Sequence, residues 1–186
     1  MVSPDEHLLA TAPGTRLRRF DNFFSQAAFD ACCAFSRHLT LTRNPTFFTN
    51  ASWPHQIIDD SFPVLIHPLA ENHPLHTQVS AEILARTGRS PKPGPNVLFY
   101  LWTRLSYIPW HDDLNQPAGL TVYLNKQWSR DSGGLYLYED DCQEIRGIVP
   151  KANLGVLQEG GVFHATTPVH LSGGVRMTMQ VWLSEA

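Results

Sequence analysis

The chain has 186 residues and a formal net charge of −3 at pH 7, with 42% hydrophobic and 17% charged residues. These values are typical of a globular protein with a substantial core, and the charge argues against a strongly basic nucleic-acid-binding surface. The 14 prolines, 12 glycines and 11% aromatic residues indicate many turns and short elements, which favours a β-rich protein over a helical bundle.

The three cysteines are Cys32, Cys33 and Cys142. An odd number without a CxxC pair makes a poor disulfide framework and predicts a reducing compartment. No run approaches the roughly 20 apolar residues of a membrane-spanning helix, and the N-terminus lacks the features of a signal peptide. We therefore expect a cytoplasmic protein with neither a nucleic acid nor a membrane as its partner.

The first half of the chain shows two helical patterns separated by an aperiodic region. In chain order we expect a loose leader to residue 15, a short strand at 18–24, a helix from the N-cap Ser25 to about residue 38, a long loop at 40–75, and a helix at 76–87 that ends at Gly88. Loops of this length often carry substrate contacts.

From Asn96 onward the pattern changes to short β-prone runs separated by turn residues. Strands are predicted at 97–107, 119–125, 134–138, 144–149, 154–158, 161–165 and 175–183. This spacing favours a sandwich or an open barrel over alternating strands and helices. We expect one domain over residues 1–186, with a helical and loop front end at 1–95 and a β-core at 96–186.

The first chemical signal is the HxD motif of His111 and Asp113. Side chains alternate along a strand, so these two share one face and Asp112 points away. A distant third ligand would complete a metal site, and His164 follows a late β-prone run, with His170 as a rival. Two histidines and one carboxylate form the facial triad of non-haem Fe(II) oxygenases.

The last strand carries the second signal. Alternation places Arg176, Thr178, Gln180 and Trp182 on one face of it, opposite Met177, Met179 and Val181. A charged residue directed into a β-core needs a compensating ligand. The guanidinium of Arg176 with the hydroxyl of Thr178 suits a carboxylate, whereas an ordinary ion pair with a surface acid is the alternative.

Several motifs in the second half resemble the prolyl-hydroxylase branch of the Fe(II)/2-oxoglutarate dioxygenases. The chain reads Tyr-Leu-Asn at 123–125, Trp128, Gly133-Gly134, then Pro150-x-x-Asn153, and finally Arg176-x-Thr178 with Trp182. Together with HxD and His164 they occur in the order found in that family. The resemblance covers about residues 96–186.

This resemblance implies a fold that is mainly β with N-terminal helices, around a double-stranded β-helix (jelly-roll) core. It implies that His111, Asp113 and His164 bind Fe(II) and that Arg176 anchors the distal carboxylate of 2-oxoglutarate. Thr178, Tyr123 and an upstream tyrosine, either Tyr107 or Tyr100, are its further candidate contacts. The other reactant would be O₂, with ascorbate as a reductant.

Related halogenases carry a small residue at the second ligand position, so an aspartate there implies hydroxylation or another oxidation that starts from the same hydrogen abstraction. The resemblance therefore implies hydroxylation of an unactivated C–H bond in a small molecule or a peptide: an amino acid, a prolyl residue or an amino-acid-derived metabolite. The aromatic and acidic segment 44–63 is a candidate lid for such a substrate. The alternatives are a non-catalytic metal- or ligand-binding jelly roll and a cupin-like iron enzyme that does not use 2-oxoglutarate.

Overall fold

The computed structural model describes residues 16–41, 48–49 and 64–185. Its helices are α1 (Gln26–Leu41) and α2 (Pro74–Thr87). Its strands are β1 (Leu17–Phe20), β2 (Phe48–Thr49), β3 (Val64–Pro68), β4 (Val97–Trp102), β5 (Ile108–His111), β6 (Ala118–Tyr123), β7 (Tyr136–Glu139), β8 (Ile145–Ile148), β9 (Gly155–Glu159), β10 (His164–Thr166) and β11 (Arg176–Leu183). A short 3₁₀ helix covers Arg130–Ser132.

The strands form two antiparallel sheets. The major sheet has the order β1-β9-β6-β11-β4-β3-β2, and the minor sheet has the order β5-β10-β7-β8. Residues of both sheets line one internal cavity, and the helices pack on the other face of the major sheet. This arrangement confirms the predicted jelly-roll core with helices from the N-terminal half.

The central strand β11 has the two different faces that alternation predicts. Met179, Val181 and Leu183 are completely buried in the core shared with α1 and α2. Each such side chain contributes about 1.5–3 kcal/mol by leaving water. The opposite face directs Arg176 and Thr178 into the cavity between the sheets. One strand thus joins the main core to the candidate site.

Both predicted helices are present, and their ends have clear causes. The Ser25 hydroxyl accepts a hydrogen bond from the Ala28 amide at 3.3 Å, as an N-cap side chain does. Helix α2 ends at Gly88, which has φ 74° and donates its amide to the Leu84 carbonyl. This left-handed conformation is available to glycine without a side-chain clash.

Asn153 connects the segment before α1 to the start of β9. It has φ 58°, and its side chain bonds both backbone groups of Phe24, accepting from the amide at 2.9 Å and donating to the carbonyl at 2.8 Å. Phe23 packs over Gly155, where a Cβ would come within 2.5 Å of the Phe23 ring. The Pro150-x-x-Asn153 motif therefore has a structural role here.

The prediction of a loop at 40–75 is wrong at 40–41, 48–49, 64–68 and 74–75, which are helix or strand, and holds at 69–73. Helix α1 continues to Leu41, and β3 pairs with β4 in the major sheet. The run Val64–Pro68 is short and contains His67 and Pro68, so its sequence gives only a weak strand signal. It is a strand because it pairs with a distant strand. The leader to residue 15 and nearly all of the candidate lid at 44–63 lie outside the described residues.

Several strand boundaries also differ from the predictions. The run predicted at 97–107 ends at Trp102, and β5 ends at His111, which leaves Asp113 in the following turn. His164 begins β10, although a position at the end of a strand was predicted. All three cysteines are free, as predicted, with Cys32 and Cys33 buried and Cys142 exposed. Neither described helix has the length and apolar character needed to cross a lipid bilayer.

Candidate active site

The minor sheet brings His111 and His164 together. They are direct partners in the antiparallel pairing of β5 and β10, and their ring centroids are 4.2 Å apart. The Nδ1 atom of His111 lies 2.9 Å from the Pro109 carbonyl, and that of His164 lies 2.8 Å from the Val162 carbonyl. Because a carbonyl only accepts, both Nδ1 atoms carry hydrogen, which leaves each Nε2 lone pair for a ligand.

Asp113 completes a cluster with the two histidines. Its Oδ1 lies 3.9 Å from Nε2 of His111, and its Oδ2 lies 3.4 Å from Nε2 of His164. One ligand atom from each of the three residues falls within 4.8 Å of the others, close enough for a shared metal ion. Asp112 is exposed, as strand alternation predicts, and His170 is exposed with its Nδ1 bonded to the Ser172 hydroxyl.

Burial shifts the protonation of this cluster. Burial, and to a smaller extent the nearby His111, together lower the pKa of His164 to about 4. His164 is therefore neutral at neutral pH, as a metal-binding imidazole must be. Burial also raises the pKa of the Asp113 carboxyl, an effect that His111 and the Gln158 amide oppose. Two imidazoles and one carboxylate are donors that suit a first-row divalent metal such as Fe(II).

Arg176 lies in the same cavity and is almost completely buried, at 1% exposure. Its Nε and Nη1 atoms have no hydrogen-bond partner, and no carboxylate pairs with it, among the described residues. The guanidinium lies 4.5 Å from the Trp102 ring centroid and 5.1 Å from that of Tyr123. Burial lowers the pKa of Arg176. A buried cation without a counter-charge is costly, so this position suits an anionic ligand.

Thr178 and Tyr123 are neighbours in the register of β11 and β6, next to Arg176. The Thr178 hydroxyl accepts a hydrogen bond from the Trp102 indole at 3.0 Å, so its own hydrogen remains available to a ligand. The Tyr123 hydroxyl is buried without a hydrogen bond of good geometry among the described residues; burial raises its pKa, and the neighbouring guanidinium of Arg176 opposes that rise. Arg176 and Thr178 therefore present polar groups without full pairing to the cavity, whereas Tyr123 adjoins Thr178 in the sheet without being among the cavity residues.

The two candidate upstream tyrosines differ in position. Tyr100 lines the cavity from β4, whereas Tyr107 is not among the cavity residues. The structure also brings Trp102, Tyr136 and Gln158 into the site, and sequence reasoning did not select them. Gln158 could have been noticed as the one polar residue in the otherwise apolar predicted strand at 154–158.

The YLN, Trp and GG motifs surround Arg176. Asn125 bonds the backbone on both sides of it, donating to the Val175 carbonyl at 2.9 Å and accepting from the Met177 amide at 2.6 Å. The Trp128 indole donates to the Gly133 carbonyl at 3.0 Å, which holds the glycine turn. These contacts fix the start of β11, and with it the direction of the Arg176 side chain.

Gly134 lies directly against Arg176, and we expect Gly134→Ala to weaken anion binding there. Gly134 has φ 61°, and a Cβ at this position would approach Cδ of Arg176 to 2.6 Å. The variant combines a backbone cost of about 1–2 kcal/mol with displacement of the guanidinium. Titration with a dicarboxylate should give a higher Kd for the variant than for the wild type.

The matched control is Gly88→Ala. Gly88 has φ 74°, but a Cβ there would meet nothing within 4 Å. It should lose similar thermal stability and keep the dicarboxylate Kd of the wild type. Equal Kd values for both variants and the wild type would show that Gly134 does not hold Arg176 in place.

The sequence matches the family model described as the 2OG-Fe(II) oxygenase superfamily over residues 91–184. A sequence search among functionally curated proteins gives no significant match. Similarity to solved structures is extensive but distant in sequence. A prolyl-4-hydroxylase from Pseudomonas putida superposes with a TM-score of 0.71 at 15% identity, covering 92% of this chain and 94% of that chain.

Two further structures share the fold. A prolyl hydroxylase from Trichoplax adhaerens, in complex with a hypoxia inducible factor oxygen degradation domain peptide fragment, has a TM-score of 0.72 at 13% identity, covering 91% of this chain and 84% of that chain. HygX from Streptomyces hygroscopicus, with nickel and 2-oxoglutarate bound, has a TM-score of 0.63 at 13% identity, with coverages of 92% and 84%. Because the family model covers half of its residues, this chain belongs to the 2OG-Fe(II) oxygenase superfamily, whose enzymes use Fe(II), 2-oxoglutarate and O₂.

Proposed function

We propose that this oxygenase hydroxylates an unactivated C–H bond of an amino acid, a prolyl residue or an amino-acid-derived small molecule. The observation that carries the proposal is that the cluster of His111, Asp113 and His164 and the unpaired Arg176 line the same cavity. Bound Fe(II), with 2-oxoglutarate and O₂, supplies the oxidising power and releases succinate and CO₂. The protein contributes binding, orientation and exclusion of water.

In this proposal His111, Asp113 and His164 hold the iron. Both imidazoles have their Nδ1 atoms bonded to backbone carbonyls, which orients the rings before a metal binds. Three protein ligands leave positions on the metal for the co-substrate and O₂. Asp113 supports hydroxylation rather than halogenation, because halogenases carry a small residue at the corresponding position.

The same proposal assigns the distal carboxylate of 2-oxoglutarate to Arg176. Its planar guanidinium can pair with both oxygens of a carboxylate, and a buried pair of this kind is strong. Thr178 and Tyr123 can each donate one further hydrogen bond. The carboxylate would then satisfy the polar atoms of Arg176 and Tyr123 that have no partner among the described residues.

Trp182 offers an aromatic surface to an organic substrate in the same cavity. It is six residues after Arg176 on β11, a separation of about 20 Å along a strand, and its half-buried ring lines the cavity. The similar structures from P. putida and T. adhaerens are both prolyl hydroxylases, which favours a prolyl ring or an amino acid among the candidate substrates.

A coupled-turnover assay tests the proposed function. The protein is incubated with Fe(II), ascorbate, 2-oxoglutarate and a panel of free amino acids, prolyl peptides and amino-acid-derived metabolites. We expect one substrate class to raise succinate formation and to gain one oxygen atom by mass spectrometry. The proposal fails if no candidate increases succinate and anaerobic titration detects no 2-oxoglutarate binding.

A further inference from the structure

Gln158 is a buried amide at the centre of the candidate metal site. It lies on β9 with 4% exposure, and it faces the cavity while Leu157 faces the core on the other side of the sheet. An amide in such a place is costly unless its hydrogen bonds are made. The partners of Gln158 therefore indicate why the strand carries it.

The Gln158 amide contacts two of the three clustered residues. Its Nε2 lies 2.8 Å from Oδ2 of Asp113 and 3.3 Å from Nε2 of His164. An ionised carboxylate can only accept hydrogen bonds, and the Nε2 atom of His164 carries no hydrogen, so the nitrogen end of the amide must face both. The shorter contact is the stronger one, because its acceptor is charged.

Tyr136 fixes the other end of the same amide. Its hydroxyl donates to Oε1 of Gln158, and burial raises its pKa well above the ordinary value, so the phenol keeps its hydrogen. Its ring also stacks on the His164 imidazole, with centroids 5.3 Å apart and planes 18° apart. Tyr136 therefore contacts both His164 and the amide that holds Asp113.

The two histidine rings are each oriented by a backbone carbonyl, whereas the Asp113 carboxylate is oriented by the Gln158 amide. Asp113 lies in the turn after β5, where its backbone carbonyl accepts from the Gln116 amide at 2.8 Å. That bond fixes the backbone but leaves the carboxylate free to rotate. Among the described residues, the hydrogen bond to the Asp113 carboxylate comes from Gln158.

We propose that Gln158 is a positioning residue: its amide, held by Tyr136, orients the Asp113 carboxylate for metal binding. The inference rests on the proposed metal-binding role of Asp113 and His164. Gln158 acts through Asp113 and needs no contact with the metal or the substrate. Metal affinity, measured without turnover, is the property that it should change.

The test is an anaerobic titration of the full chain with Co(II). Calorimetry measures the affinity, and the visible absorption spectrum of the bound metal reports its coordination. Gln158→Leu should bind Co(II) about 10–100-fold more weakly and change the absorption spectrum, as is usual for partners of metal ligands. Tyr136→Phe, which keeps the stacked ring, should cause a smaller loss. The double variant should match Gln158→Leu alone, because the hydroxyl acts through the amide.

Gln180→Leu is the matched control. Gln180 faces the same cavity, but its side-chain oxygen accepts from the Thr121 hydroxyl rather than supporting Asp113. It should keep the Co(II) affinity of the wild type. If Gln158→Leu binds Co(II) as tightly as the wild type with the same spectrum, Gln158 does not position Asp113.

Two further outcomes separate the inference from the proposed function. If the wild type itself fails to bind Co(II), the metal site is wrong and the inference falls with it. If Gln158→Leu does not fold, Tyr136→Phe decides, and an unchanged affinity and spectrum in that variant overturn the positioning role.

Discussion

Alanine at His111, Asp113 or His164 should remove specific Fe(II) binding and, with it, the formation of succinate. The reason is that each of the three supplies one of the clustered ligand atoms within 4.8 Å of one another. Losing a residue that only supports a metal ligand costs about 10–100-fold in affinity, so losing a ligand should cost more than about 100-fold. Anaerobic titration with Fe(II) or Co(II) and a succinate assay measure the two effects.

The chain offers two close controls for these variants. Asp112→Ala changes the carboxylate adjacent to Asp113, and His170→Ala changes the rival histidine; both residues are exposed. Each control should bind metal and turn over like the wild type. If Asp112→Ala lost metal while Asp113→Ala kept it, the proposed ligand set would be incorrect.

The same pair of acids illustrates what local sequence could predict. Alternation puts Arg176 and Thr178 on one face of β11, and the structure confirms that arrangement. Asp112 is exposed and Asp113 faces the cavity, as predicted, although both lie just beyond the end of β5. These predictions depend only on the two-residue period of an extended chain.

The surroundings of Arg176 show where that reasoning ends. Trp102 reaches the guanidinium because β4 and β11 pair with Arg176 opposite Trp102. The two residues are far apart in sequence, so no local pattern relates them. The same holds for β3, which completes its hydrogen bonds on β4 and has too short a run to be distinguished from a loop.

The glycine and asparagine motifs were visible in the sequence, but their contacts were not. The resemblance identified the YLN, Trp and GG segment and gave a role in it to Tyr123, but none to Asn125 or Trp128. The structure shows that Asn125 and Gly134 fix the backbone and side chain of Arg176. The motif is therefore explained by a contact with a residue some 40–50 positions away, which only the folded chain reveals.

Replacing Arg176 with leucine should separate the stability of the protein from its affinity for 2-oxoglutarate. The buried guanidinium has no counter-charge among the described residues, so removing it should leave the thermal stability of the ligand-free protein unchanged or raise it. Losing one member of a buried charge pair costs about 2–5 kcal/mol, so the 2-oxoglutarate Kd should rise at least about 30-fold. Calorimetric titration and thermal unfolding, each with and without 2-oxoglutarate, measure both quantities.

The opposite signs of these two effects distinguish a ligand anchor from an ordinary structural arginine. Arg146→Leu is the comparison, because Arg146 pairs with Asp140 and Glu144 at 2.8 and 2.6 Å on the exposed edge strand β8. That variant should change stability little, because solvent and salt screen an exposed ion pair, and it should leave 2-oxoglutarate binding intact. A structural Arg176 would instead lower the melting temperature of the ligand-free protein and leave the increment on adding 2-oxoglutarate unchanged. An anchor loses that increment, since a ligand stabilises a protein only in proportion to its affinity for the folded state.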